Sequence, residues 1–108
     1  MTREGLTRMT KVEVVVEGTD APHVVDLFTH AGVTGYTAVS NVSGLGHGGY
    51  HEGRLLFNDQ SALGLLITVV PDDQVDALLA GVRTLLAGRS GVMFVSDVYV
   101  SRPEYFTP

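Results

Sequence analysis

Two copies of one local pattern, a short β-strand followed by an amphipathic helix, constrain the fold of this chain more than any other feature of its sequence. In the first copy, Lys11–Glu17 places valine at every second position, as a half-buried strand does. Apolar residues at helical spacing follow within 24–31. In the second copy, the apolar segment 62–70 precedes a wide apolar stripe within 75–86. A glycine follows each predicted helix, where the left-handed conformation of a helix end favours it.

Two further strand-like segments, 34–42 and 92–100, complete the order β-α-β-β-α-β. This order is typical of the ferredoxin-like α+β sandwich, in which helices cover one face of an antiparallel sheet. We expect one domain over residues 11–108, because a chain of 108 residues is too short for two cores. Residues 1–10 are polar, so we expect a disordered tail there rather than a signal peptide.

Composition excludes several classes of function. The chain has no cysteine, which excludes disulfides, thiolate catalysis and cysteine-based zinc sites. Its net charge of −5 argues against nucleic-acid binding. The longest apolar run, Leu63–Val70, is far shorter than the ~20 residues of a membrane span. We therefore expect a cytoplasmic protein.

Apolar residues occupy both faces of the strands predicted at 62–70 and 92–100. One face of a ferredoxin-like sheet is covered by the helices, so the other face should be polar if it met water. Because an uncovered apolar face would aggregate, self-association is the economical explanation.

The stretch 43–60 contains five glycines, and its apolar residues follow neither a helical nor a strand period. Loops of this length within compact domains are usually functional, and glycine-rich backbone suits anion binding, although a hairpin connection without a function is the alternative. His47 and His51 lie four apart beside Glu52, which would suit a metal site on a helix. The glycines oppose a helix there, so we expect a solvated pair.

No nucleophile-and-base pattern is present, and Asp72-Asp73 is more typical of a helix start than of a catalytic carboxylate pair. Asp20 is the expected cap of the first helix, and Asp97 is expected to be a structural hydrogen-bonding group. We therefore expect a protein that is not an enzyme.

The chain resembles the PII signalling superfamily over residues 11–100, and three stretches carry this resemblance. Gly-Val-Thr-Gly-Tyr-Thr at 32–37, followed by Val-Ser-Gly-Leu-Gly at 42–46, resembles the second strand and the start of the mobile T-loop, here about 43–60. Val-Val-Pro-Asp-Asp at 69–73 resembles the passage from the third strand to the second helix. Gly-Arg-Ser-Gly-Val-Met-Phe-Val at 88–95 resembles the B-loop and the fourth strand.

The resemblance implies a homotrimer that holds an adenine nucleotide in clefts between subunits. Carried over by position, the nucleotide-binding residues are Val15, Gly35, Thr37, Gly44, Gly46, Val69, Arg89, Gly91, Phe94 and Arg102. For bicarbonate, the corresponding residues are Gly46, Arg54 and Arg102.

Departures from the family pattern refine this expectation. Val92 replaces a phosphate-binding lysine, Ile67 replaces an acidic residue linked to 2-oxoglutarate signalling, and Tyr50 is out of register with the modified tyrosine of a longer T-loop. With fewer cations available for a triphosphate, the resemblance favours ADP or AMP over ATP.

The pattern is most similar to PII-like proteins associated with carboxysomes, carbon fixation and bicarbonate uptake. It implies a regulatory protein with no resident cofactor, whose T-loop orders on ligand binding and contacts a target such as a bicarbonate transporter. Two alternatives stay open: a trimeric divalent-metal-binding protein of the ion-tolerance type, and a small dimeric ferredoxin-like enzyme.

Overall fold

The computed structural model describes residues 2–44 and 62–108, which form an antiparallel sheet covered on one face by two helices. The strands are β1 (Thr2–Arg3), β2 (Leu6–Glu17), β3 (Tyr36–Val42), β4 (Leu63–Val70) and β5 (Gly91–Val100). The helices are α1 (Ala21–His30) and α2 (Asp72–Leu86). The long strands lie in the order β5-β2-β4-β3, and β1 pairs with the beginning of β2. The predicted ferredoxin-like fold is confirmed.

The core lies between the sheet and the two helices. Every second residue of β2 points into it, because side chains alternate across a strand. The fully buried members of the core are Val12, Val14, Val16, Val24, Phe28, Leu66, Val70, Leu78 and Val82. Both predicted apolar stripes therefore face the sheet.

The helix ends agree with the predicted glycines. Gly32 and Gly88 adopt φ of 83° and 77°, a region that side chains with a Cβ rarely enter. After α1, the N–H of Val33 donates to the carbonyl of Phe28 at 3.0 Å, so the helix end is closed by backbone hydrogen bonds.

The prediction that Asp20 caps α1 is confirmed for its position but not for its hydrogen bonding. Asp20 is the residue at the N-cap, but its carboxylate makes no cap hydrogen bond. It accepts from Arg89 Nη1 at 2.7 Å instead, a charge-assisted bond that is stronger than a bond to a neutral N–H.

The expected disordered tail is wrong over the described residues 2–10. β1 and the first residues of β2 form a hairpin, and Met9 is only 2% exposed. Arg8 bridges Asp97 of β5 at 2.9 Å and Asp72 of α2 at 3.1 Å. These partners follow Arg8 by 89 and 64 positions along the chain, so no local sequence pattern predicts the contacts.

Neither α1 nor α2, the helices of the described ranges, is long and apolar enough to cross a membrane.

Candidate functional site

The sheet has two ends, and the predicted site residues divide between them. At the first, here called the loop end, the chain leaves β3 after Val42 and enters β4 at Leu63, opposite Glu17. Gly91 begins β5 at the same end, paired with Val16. At the other, here called the tail end, β3 begins and the chain leaves β5 after Val100.

Arg89 and Gly91 lie at the loop end. The Arg89 side chain is 42% exposed, and its Nη1 donates to Asp20 Oδ1 at 2.7 Å. At Gly91, an added Cβ would lie 2.8 Å from Leu86 Cδ2 and 3.1 Å from the carbonyl oxygen of Val15. The close approach to backbone explains why glycine stands at this position, independently of any ligand.

Gly44 also lies at the loop end, immediately before the segment that the structure does not describe. An added Cβ there would make only an ordinary contact, 3.6 Å from Leu63 Cδ1. The local packing therefore gives no reason for a glycine, in contrast to Gly91.

Gly35 and Arg102 lie at the tail end, on either side of a C-terminal turn. A 3₁₀ turn, Pro103–Tyr105, brings the Tyr105 carbonyl to 3.1 Å from Thr34 Oγ1, which donates to it. The Arg102 guanidinium lies 5.7 Å from the centre of the Tyr105 ring. The carbonyl of Gly35 accepts from Thr68 Oγ1 at 2.6 Å, which fixes the start of β3 on β4.

Four predicted nucleotide-binding residues share the sheet face opposite the helices, here called the open face. These are Val15, Thr37, Val69 and Phe94, as strand alternation and register place them. Phe94 is 53% exposed, and Val92 and Val39 on the same face are also exposed. The predicted apolar second face is therefore present, and within one chain it meets solvent.

Arg89 precedes β5 and Arg102 follows it, so the two arginines lie at opposite ends of this strand, whose ten residues span about 30 Å. That distance exceeds the length of a nucleoside diphosphate. One chain therefore cannot bring both arginines to the phosphates of one such nucleotide.

A groove of about 330 Å³ opens at the loop end, and among the described residues none of the predicted site residues lines it. Its walls are the turn at 18–21, residues 38–41 of β3, and the start of β4. Asn41 adopts φ of 59° where the pairing of β3 with β4 shifts register between Val39 and Val42. The uninterrupted strand predicted at 34–42 missed this bulge, although asparagine tolerates the left-handed region better than most residues.

Sequence comparison identifies the family. The family of nitrogen regulatory protein P-II matches residues 9–105, nearly the whole chain. The chain belongs to the P-II family.

Solved structures agree with this assignment. CPII from Thiomonas intermedia K12, a nitrogen regulatory PII-like protein bound to ADP, AMP and bicarbonate, is 42% identical, with a TM-score of 0.82 over 94% of this chain and 95% of CPII. The same protein bound to ADP and bicarbonate gives 40% identity and a TM-score of 0.80 over 94% and 97% of the two chains. A putative PII-like signalling protein from Thermus thermophilus, only 19% identical, has a TM-score of 0.73 over 99% and 100% and shares the fold. No curated protein matches the chain.

Several predicted residues of this P-II family member lie outside the described residues. These are the nucleotide and bicarbonate residues Gly46 and Arg54, the histidines His47 and His51, and Tyr50. Of the predicted T-loop, only residues 43 and 44 are described. The roles predicted for the residues outside the described ranges stay predictions.

Sequence reasoning missed two features of this P-II chain. One is the contact of Asp20 with Arg89, and the other is the position of Arg8 between two carboxylates. No local pattern indicates the strand that carries Arg8, because the two apolar residues beside it, Leu6 and Met9, stand three positions apart and do not alternate.

Proposed function

We propose that this P-II family member is a cytoplasmic signalling protein, not an enzyme, that assembles as a homotrimer and binds ADP or AMP, and bicarbonate, between subunits. The observation that carries the proposal is the 42% identity, over nearly the full length, to CPII bound to ADP, AMP and bicarbonate. In this proposal the chain acts as one domain, which includes β1 and the first residues of β2.

The open face supports the trimer. Phe94, Val92 and Val39 are exposed together on one side of the sheet. Burying them against a neighbouring subunit would remove this apolar surface from water, which is the main favourable term in protein association. A ring of identical subunits buries the same surface on every copy.

The separation of the two arginines supports a site between subunits. In the trimer, the tail end of one subunit, with Gly35 and Arg102, meets the loop end of its neighbour, with Gly44, Arg89 and Gly91. The arginines bind the phosphates, and glycine N–H groups add donors. Bicarbonate binds beside the phosphates at Gly46, Arg54 and Arg102. Because two neighbouring anions repel, the arginines must offset that repulsion.

The T-loop is the proposed output. Its exit is tied to the loop end, since the N–H of Gly18 donates to the carbonyl of Ala62 at 2.8 Å. Nucleotide and bicarbonate order the loop, which then contacts a protein such as a bicarbonate transporter and regulates inorganic-carbon uptake or fixation. Each ligand changes the affinity of the other by the same factor, because binding free energies are linked.

Isothermal titration calorimetry with AMP, ADP and ATP, each with and without bicarbonate, tests the proposal. We expect micromolar binding of ADP and AMP, weaker binding of ATP, and tighter nucleotide binding when bicarbonate is present. Absence of nucleotide binding would refute the proposed function, whereas nucleotide binding insensitive to bicarbonate would remove only the carbon-sensing part.

Arg102 provides the residue-level test. Arg102→Ala should weaken ADP binding by about 10-fold or more, because a hydrogen bond to a charged group contributes ~1.5–3 kcal/mol. Arg83→Ala, which removes an exposed arginine from the last turn of α2, is the matched control and should leave affinity unchanged. Equal affinities of the two variants would reject the assigned role of Arg102.

A further inference from the structure

The carboxylate of Asp20 is used in an unusual way for its position. An aspartate at a helix N-cap ordinarily accepts a hydrogen bond from the backbone of the first helical turn. Asp20 makes no such bond at the start of α1 and instead accepts from Arg89, 69 positions later in the chain. The side chain is therefore committed to Arg89.

The ion pair is asymmetric in its burial. The Asp20 side chain is only 17% exposed, whereas that of Arg89 is 42% exposed. The bond to Asp20 uses Nη1, which is one part of a planar group that carries five N–H donors. The carboxylate thus holds the inner side of the guanidinium and leaves other donors for a second anion.

Both partners stand on backbone that is itself fixed. Asp20 ends the 3₁₀ turn Gly18–Asp20, whose first N–H is bonded to the carbonyl of Ala62. The N–H of Arg89 donates to the carbonyl of Leu86 at 2.9 Å, just after the left-handed Gly88. The negative charge of Asp20 is further stabilised by the positive end of the α1 dipole. The guanidinium is consequently oriented before any ligand arrives.

We propose that Asp20 is a positioning residue that holds the Arg89 guanidinium in the orientation in which it binds the phosphates of an adenine nucleotide. The inference rests on the proposed function, because it takes Arg89 as a phosphate-binding residue. An unrestrained arginine loses rotamer freedom when it binds, and this loss lowers affinity. Asp20 removes most of that loss by ordering Arg89 in the free protein.

A competing effect of Asp20 has the opposite sign. Its negative charge repels a phosphate bound to the same arginine, so removing the charge would strengthen binding. Asparagine separates the two effects, since it keeps an oxygen that accepts from Arg89 and has no charge. Alanine removes both the acceptor and the charge.

The experiment is calorimetric titration of ADP into the full-length protein and into its D20A, D20N, R89A and D20A/R89A variants. We expect D20A to bind ADP about 5-fold more weakly, the order of effect of ordering one long side chain. D20N, which keeps the acceptor and loses the charge, should bind ADP more tightly than D20A. R89A should lose more affinity than D20A, and D20A should have no further effect in the R89A background.

The outcomes separate this inference from the proposed function. If R89A weakens binding while D20A binds as tightly as the wild type, or if D20A and D20N behave alike, the positioning role is refuted and the proposed function stands. If the wild type does not bind ADP, or if R89A binds normally, the proposed site itself is refuted. Should D20A not fold, D20S replaces it, because serine also favours an N-cap and its shorter side chain ends about one bond before the carboxylate oxygens.

Discussion

Arg8 connects three elements through two carboxylates. From β2 it reaches Asp97 on β5 and Asp72 in the first turn of α2. The arginine is partly buried, whereas both carboxylates are largely exposed, so each ion pair is strongly screened by water. The network therefore contributes to the docking of α2 on the sheet without dominating stability.

We predict that Arg8→Ala lowers the free energy of unfolding by about 1 kcal/mol, because exposed ion pairs contribute ~0.2–1 kcal/mol each. Urea denaturation followed by circular dichroism measures the change. Arg83→Ala is the matched control, since within residues 2–44 and 62–108 Arg83 has no ion pair. A loss equal to that of the control would show that the two carboxylates do not stabilise the fold.

At the scale of elements, the C-terminal turn and β3 constrain each other. Pro103–Tyr105 packs so closely on Gly35 that an added Cβ would lie 3.0 Å from the Tyr105 carbonyl oxygen and 3.5 Å from the Phe106 ring. Gly35 thus has a packing role at the tail end in addition to its proposed contact with nucleotide.

We predict that Gly35→Ala loosens the C-terminal turn. The backbone bonds from Tyr105 to Arg102 and from Phe106 to Pro103 should open more often, and amide exchange of these residues should accelerate at least about 5-fold, since overpacking costs ~1–3 kcal/mol. Hydrogen-exchange mass spectrometry measures this. Gly44→Ala, whose Cβ meets only Leu63 at an ordinary distance, should leave exchange of the turn unchanged. Equal exchange in the two variants would contradict the packing argument.

The elements that sequence predicted well are those with local signals. Alternation along β2, helical spacing in α1 and α2, and glycines at 32 and 88 place most element ends within a few residues of their observed positions. Apolar residues were also predicted on both faces of β5, and in the structure Phe94 is exposed on the open face whereas Met93 packs against the core.

Contacts between distant positions were not predictable in the same way. The hairpin of β1 with β2 is stabilised by partners far along the chain, and the acceptor of Arg89 was expected to cap a helix. Both errors arise because a short polar segment carries no pattern that reveals its long-range partner. Which ends of two sheets meet in a trimer is likewise a property of two chains, and one sequence pattern cannot specify it.

At the scale of the whole molecule, the open face is an apolar surface that nothing covers among the described residues. Phe94 is its most exposed large apolar side chain, and it stands across from Glu13 of β2. A glutamate in its place would carry an unpaired charge into any interface formed by this face, which is strongly unfavourable.

We predict that Phe94→Glu converts the proposed trimer to monomers at micromolar concentration. Val95→Glu is the matched control, because Val95 is similarly exposed and neighbours Phe94 but lies on the other face of the same strand. It should remain trimeric. Light scattering coupled to size-exclusion chromatography measures both masses, and a trimeric Phe94→Glu variant would show that the subunits associate elsewhere.

The length of β5, which separates Arg89 from Arg102 within one chain, has a consequence for mixtures of variant chains. If a cleft draws Arg102 from one chain and Arg89 from the next, two weakly binding variants can complement each other within one particle. In a trimer that mixes R89A and R102A chains, one of the three clefts joins the intact Arg102 of the first variant to the intact Arg89 of the second. We therefore expect co-expression of the two variants to restore tight ADP binding at one site per mixed trimer, although each variant alone binds weakly.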